Sequence, residues 1–590
     1  MTVSTRRNAT SSGSVPGTRS IVEAGSAPQS AVSPGLPIIP VFLLLFALAT
    51  VVLTYRIGTA PNVPVNWESY TLRGLIDFAR DPSGEVFRLN QGLMTNSGQS
   101  IVVIGPASIG FWLFDQSLWG LRLPAALIAA LSVPLTWLLG RRLFSDVVGI
   151  TAALIVGTSH VFVLYGRTGT NVGMSITPAL VGFLMLWNCL RPERAQWVRW
   201  LIGLQLILIV NSYFYSPIRF LWPIAIVLFM VELAMQRGSA PRFLTSFLVT
   251  LVVLPVTLMV LMPGPIVSPV SAVKDYYYGR GEQIFDIGES SNGYLSYLRA
   301  ETDEERAQLE AENEDDLALK LVRQNATDLL HLLIDRDTDA PNTYYWSPKG
   351  RLYSLILVPF FLAGLAILLL RFFREPRARF LLALFFGFSL PLLLTSRVHI
   401  GRLVFIVPLL AIIIAVPIGY LTRWLANPRE GSRRRPAPVW AGGLLGVIVA
   451  AVGAYPTLAY WDQPFPYDRS RQAEIQVGAV MRESTNQQFV YVFGDRGGYE
   501  IESLRIANFE ILFRDEMRFL DLMTGDERGT GERLLIYGGV LDRLERPESI
   551  PNVCTCLYLV DPDVVDGFKV VATGPPADYC NAPLTYVVLE

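Results

Sequence analysis

Apolar residues in this chain gather into blocks, and that clustering constrains the fold more than any other feature of its 590 residues. A run of about 20 apolar residues is what a helix needs to cross the hydrocarbon core of a bilayer. The first block runs from about Leu36 to Val52. Others begin near Leu123, Val147, Met174, Leu201, Phe220, Phe243, Leu352, Phe380, Leu403 and Trp440. Read as helices of roughly 17–22 residues, they make about eleven spans. Charged residues are 17% of the chain, against about 25% in an ordinary soluble domain. The mean hydropathy is +0.39. Disordered, fibrous-repeat and ordinary cytosolic classes are thereby excluded. A net charge of −1 gives no basis for a nucleic-acid partner.

The links between blocks fix the expected topology. Arg141 and Arg142 follow the second block, and Arg191, Arg194 and Arg199 the fourth. Arg237 and Arg242 follow the sixth, Arg371, Arg374, Arg377 and Arg379 the eighth, and Arg423, Arg429, Arg433, Arg434 and Arg435 the tenth. Every second short loop is Arg-rich, as cytoplasmic loops are. Residues 1–35, rich in Ser, Gly, Pro and Ala, read as a disordered cytoplasmic tail. The first block lies too late to be a removed signal and reads as an uncleaved anchor. The expected protein is a multi-pass plasma-membrane protein. Its membrane domain covers residues 36–460, with external loops at about 57–121 and 263–351. Residues 461–590 then lie outside the cytoplasm.

That last region changes character. Phe489–Phe493, Leu534–Tyr537, Cys556–Val560 and Leu584–Val588 read as buried strands, and Gln472–Glu483 has helical spacing. The expectation is a small α/β domain attached to an α-helical polytopic membrane protein. Cys554, Cys556 and Cys580 lie in it, and an exported domain permits a disulfide between two of them. A CxC with one distant Cys and no nearby His is poor evidence for zinc.

Charged groups at the edge of a membrane are costly and mark functional candidates. Four groups of residues fall at the outward ends of the spans. Glu68 lies in Pro64-Val-Asn-Trp-Glu-Ser-Tyr70. Arg167 lies in Tyr165-Gly-Arg-Thr-Gly169, and Arg219 in Tyr213-Phe-Tyr-Ser-Pro-Ile-Arg219. Arg397, His399 and Arg402 lie between the ninth and tenth blocks. A carboxylate with several guanidiniums suits a lipid-linked sugar phosphate, whose tail stays in the bilayer. The leaving phosphate is matched by the planar fork of Arg. The carboxylate of Glu68 is placed to take a proton from the incoming hydroxyl. Arginines facing the developing charge would need no metal or other cofactor. Arg219 and Arg402 also read as snorkelling ends or caps, and His399 as an interfacial histidine. His160 and His331 receive no role, and most of the acids Asp77, Asp81, Glu85 and Asp115 read as solvated.

With these motifs in order, the chain resembles the GT-C membrane glycosyltransferases. More narrowly it is similar to the family of protein O-mannosyltransferases and lipid A aminoarabinose transferases. The carriers are Pro61–Tyr70, the segment Ile101–Phe114 with Leu121-Arg-Leu-Pro-Ala-Ala126, Tyr165–Asn171 and Tyr213–Arg219. The resemblance covers about Leu36–Tyr460. It implies a polyprenyl-phosphate sugar donor and an interfacial helix over Ile101–Phe114. It also implies inverting transfer to an extracytoplasmic hydroxyl or amine of a lipid, glycan or protein acceptor. On that basis Glu68 matches the Glu of the family's Asp-Glu pair. Trp67 stands where the family has Asp, with Asn66 before it, so either Glu68 serves alone, another acid such as Asp115 moves in, or the chain is a degenerate relative. Arg167, Arg219 and Arg402 are candidates for the donor phosphate, and Tyr213, Tyr215 and Trp67 for the sugar pocket. Two other readings compete. One is a transporter or flippase for a lipid-linked sugar, though the acids sit in loops and no duplicated half is evident. The other is a non-catalytic membrane scaffold.

Overall fold

The computed structural model describes residues 36–58, 68, 71, 75, 101–114, 117–191, 196–236, 240–261, 314–334, 353–394 and 400–426. It also describes single positions between 444 and 451 and five strand segments between 489 and 589. Trp67, Asp115, Arg397, His399, the tail, the helix expected over Gln472–Glu483 and the cysteines after Cys189 lie outside the described residues.

Serines set where several helices begin. The Ser117 side chain accepts from the Gly120 amide at 3.1 Å, and the helix Leu118–Ala130 starts beside it. Ser145 does the same for Asp146–Gly157, accepting from Val148. A side-chain oxygen at this position satisfies an amide that the first helical turn leaves open. Ser132–Leu143 continues the Leu118 helix, and together they make an apolar rod of 26 residues.

Among the described residues, six helices are long and apolar enough to cross a membrane: Leu118–Leu143, Asn171–Leu190, Pro217–Met235, Ala240–Thr257, Pro376–Leu393 and Gly401–Trp424. The chain is thus a mostly helical, multi-pass membrane protein. Shorter apolar helices occupy the first, fifth and eighth expected blocks, at Ile38–Thr54, Trp197–Ser212 and Leu355–Arg371. The third block is not one straight helix. Asp146–Gly157 and His160–Gly166 meet at 63°. The cause is local. The Thr158 hydroxyl bonds back to Leu154 O at 2.8 Å, and Ser159 caps a new helix by accepting from Phe162 N. Such back-bonding and re-capping offer the backbone an alternative to continuing the ladder.

The helix Ile101–Leu113 packs across the start of Leu118–Ala130 at two glycines. A Cβ built on Gly110 would lie 2.3 Å from the Gly120 carbonyl oxygen, and one on Gly120 2.6 Å from that of Gly110. Ile109, Trp112 and Leu113 of this helix are exposed, as an interfacial helix requires. Gly110→Ala should therefore lower the melting temperature, the backbones having to part at a cost of about 1–3 kcal/mol. Thermal unfolding in detergent tests this; an unchanged midpoint would mean that the two helices are not held at that separation.

One end of the bundle collects the Arg-rich turns. Arg141 pairs with Asp146 at 3.2 Å and donates to Leu36 O at 2.8 Å, tying the entry of the first helix to the turn after Leu143. Arg423 donates to Phe144 O at 2.7 Å. Arg379 forks onto buried Glu232 at 2.7 and 2.9 Å, joining Leu221–Met235 to Pro376–Ser389. Gln236 donates to the same carboxylate. The alternation of Arg-rich links thus has a structural counterpart in shared contacts at a single end.

In the C-terminal region, strands β1 (Phe489–Phe493), β2 (Glu510–Phe513), β3 (Arg533–Ile536), β4 (Val570–Thr573) and β5 (Val587–Leu589) form one sheet in the order β2-β1-β3-β5-β4. β1 is parallel to both β2 and β3, while β5 is antiparallel to β3 and β4. The strands expected at 489, 534 and 584 lie at or beside β1, β3 and β5. β2 and β4 are additions, each only four residues long.

Candidate functional site

Three sequence signatures meet at one buried carboxylate. Glu68 is fully buried, as is Arg122. Arg122 forks onto it, Nε to Oε1 at 2.8 Å and Nη2 to Oε2 at 2.8 Å. The backbone amide of Gly169 donates to Oε1 at 2.6 Å. The third guanidinium nitrogen of Arg122 donates to Ile57 O at 2.9 Å. One ion pair thus joins the exit of the first span, the acidic motif, the Leu121–Ala126 motif and the Tyr165–Asn171 motif. A planar fork on a carboxylate is the strong, direction-setting form of this contact. Arg122 and Arg141 stand 19 residues apart on the Leu118–Leu143 rod. At 1.5 Å per residue that is roughly 28 Å, close to the thickness of a hydrocarbon core. The carboxylate site and the Arg-rich turns therefore occupy opposite ends.

Arg167 sits beside this ion pair. It is fully buried and donates to Tyr55 O at 2.8 Å. Tyr55 and Ile57 flank Arg56, whose φ of 52° is left-handed. The two carbonyls used by Arg167 and Arg122 are therefore aimed by a backbone conformation that costs an ordinary residue about 1–2 kcal/mol. Arg56→Gly should relieve that cost and raise the melting temperature slightly, net of the greater chain entropy of glycine. A fall in the melting temperature would mean that the Arg56 side chain contributes more than the strain removes.

The fourth signature reaches the same end by packing. Phe214 lies against the small core of Val103, Ala125 and Met174, contributed by Ile101–Leu113, Leu118–Ala130 and Asn171–Met174. Tyr215 is buried and stacks on Phe405 with ring centroids 6.0 Å apart. Phe405 follows the Ile400–Leu403 helix that carries Arg402. Arg219 is buried and donates to Ser212 O at 3.1 Å. Burial pushes the Tyr213 phenol above its ordinary pKa, so it remains a hydrogen-bond donor.

The structure sorts the expected site residues. Glu68, Arg122 and the Gly169 amide share one network, and Arg167 bonds to Tyr55 O, two residues from the Ile57 carbonyl that Arg122 uses. Tyr213, Tyr215, Arg219 and Arg402 lie on the two segments that meet at the Tyr215–Phe405 stack. Arg402 keeps partial exposure, while Arg167 and Arg219 are buried. Trp67 lies outside the described residues. The Glu68 oxygens accept from Arg122 Nε, Arg122 Nη2 and the Gly169 amide, donors that favour the ionised carboxylate.

Residues 102–262 match the family described as dolichyl-phosphate-mannose-protein mannosyltransferase. The match takes in Arg122, Arg167, Tyr213, Tyr215 and Arg219, and leaves Glu68 and Arg402 outside. The chain thus bears the likeness to GT-C membrane glycosyltransferases that its motifs imply. Two solved structures are also similar to it. One is the archaeal oligosaccharyltransferase AglB from Archaeoglobus fulgidus, solved with an inhibitory peptide and a dolichol-phosphate. Its identity is 13% over 85% of this chain and 70% of that one, with a TM-score of 0.47. The other is ArnT from Cupriavidus metallidurans bound to undecaprenyl phosphate, with 12% identity over 94% and 97% and a TM-score of 0.46. Among curated proteins, no match is found.

Proposed function

We propose that this protein is an integral-membrane glycosyltransferase. It moves a sugar from a polyprenyl-phosphate donor to a hydroxyl or amine acceptor at the bundle end opposite the Arg-rich turns. One observation carries the reading: motifs from separate parts of the chain, two of them inside the mannosyltransferase-family match, converge on the Glu68–Arg122–Gly169 ion pair.

In this reading Glu68 is a positioning residue. Its carboxylate holds the loop after the first span against the Arg122 and Gly169 segments and so shapes the acceptor side. Arg167 braces the same turn through Tyr55 O. Arg402, with surface to spare, contacts the donor phosphate, and Arg219 supports it through field rather than exposure. Fixed cations facing a phosphate that gains charge on leaving lower the barrier, because their orientation is already set before reaction. Tyr213 and Tyr215 present a phenol and a ring face to the sugar. The sheet beyond residue 461 lies on the acceptor side of the membrane.

Transfer is tested with purified protein in liposomes and a radiolabelled polyprenyl-phosphate sugar, following release of lipid phosphate. The proposal expects release that depends on Arg402. Uptake or flipping of the labelled lipid without cleavage would replace it with the transporter reading.

A further inference from the structure

The Arg-rich end holds a cluster that sugar transfer at the far end does not use. Arg371 and Arg377 grip one carboxylate, Glu375; Arg374 precedes it in sequence, and Arg423 shares the Phe144 turn with Arg377. Glu375 accepts from Arg371 and Arg377, the latter at 2.6 Å. Burial alone raises the Glu375 carboxyl, but hydrogen bonds from Arg377 and Arg371 outweigh it and hold the group below its ordinary pKa. It is therefore ionised at neutral pH; two guanidiniums on one carboxylate leave a net positive charge, to which the exposed Arg374 and Arg423 add.

Separate helices build the cluster. Arg377 lies over the Phe144 ring at 5.4 Å and Arg371 over Tyr420 at 4.5 Å. Arg423 donates to Phe144 O. The turns after Leu143 and Arg371 and the end of Val407–Ala426 thus share it. Arg374 and Arg423 are exposed. Beside them, large apolar side chains are also exposed: Leu370 at 83%, Phe373 at 76% and Trp424 at 67%. Cation and apolar surface alternate along each helix end. A soluble anion would match the first and gain nothing from the second.

We infer that this cluster is a binding site for an anionic phospholipid of the adjacent leaflet. The phosphate of the head group lies against Arg374 and Arg423, and the acyl chains lie along Leu370, Phe373 and Trp424. Basic pockets between helix ends, flanked by lipid-facing apolar residues, have the chemistry for such head groups. This lipid is separate from the donor, whose phosphate the reading above puts at the opposite end.

The test uses the full-length protein in neutral detergent, with Arg374→Gln, Arg374→Gln/Arg423→Gln and the control Arg199→Gln. Melting temperature and lipid retained in native mass spectrometry are read against added phosphatidylglycerol, phosphatidylcholine and inorganic phosphate. Phosphatidylglycerol should be retained at least about fivefold more than phosphatidylcholine and should raise the melting temperature. Both effects should shrink in Arg374→Gln, vanish in the double variant and survive in Arg199→Gln. Arg374 has an exposed side chain, so its single variant keeps the test open if loss of the Arg423 contact disturbs folding. Equal retention of the two lipids, or an undiminished preference in both Arg374 variants, would overturn the site. A matching rise with inorganic phosphate would make it an ion site and overturn the lipid assignment.

Discussion

Arg122→Met is expected to be among the most damaging single substitutions in the chain. It strips the Arg122 fork from the buried Glu68 carboxylate, leaving the Gly169 amide in place, and removes the donor to Ile57 O. Stripping one partner from a buried ion pair costs about 3–5 kcal/mol, because the remaining charge has lost both water and its counter-ion. The melting temperature should fall by many degrees and transfer should be lost. Removing both charges behaves differently. In Glu68→Leu/Arg122→Met no orphan charge remains, and well-packed apolar replacements for a buried pair are often neutral or stabilising. Stability should largely return while transfer does not. Return of both together would show that the ion pair contributes folding energy alone.

Glu68→Gln separates positioning from proton transfer. Glutamine keeps the shape and one acceptor oxygen but cannot match the Arg122 fork, so the loop after the first span loses its fixed place. A displacement on the order of 1 Å at a reacting centre costs about 100-fold in rate. The folded, monodisperse fraction of the variant should therefore show a kcat lowered by about that factor. The pH–rate profile should keep its acid limb, since another group carries the titration. A base contributes about 10²–10⁴-fold and its pKa shapes the profile. Disappearance of the acid limb in the variant would make Glu68 the base after all.

Much of this site was legible before any coordinates. Glu68, Arg167 and Arg219 stand out because charges beside apolar blocks are costly. Arg122 was visible as part of a motif but not as a site residue. The signal was there: it is an arginine one turn into an apolar helix, and a charge so placed needs a named partner. The Gly169 amide could not be found this way, since backbone donors leave no mark in composition. Neither could the left-handed Arg56, because arginine rarely adopts that conformation and the carbonyls beside it are held by guanidiniums distant in sequence. The 63° break in the third block has a faint trace in Gly157-Thr-Ser159, which hydropathy reads through.

The Arg-rich turns illustrate the reverse case. Their alternation was plain, and the structure adds what alternation cannot hold: Glu232, gripped by Arg379 from a distant stretch of chain. Glu375 pairs locally, with Arg371 and Arg377 of its own turn, whereas the Glu232 pairing comes only from the packed bundle.

The most direct measurement is a cryo-EM structure of the protein in a nanodisc with a polyprenyl phosphate. The lipid phosphate should lie within hydrogen-bond reach of Arg402, at the end of the bundle that holds the Glu68–Arg122 ion pair. A phosphate seated at the Arg371–Arg377 end, with that far end unoccupied, would contradict the account.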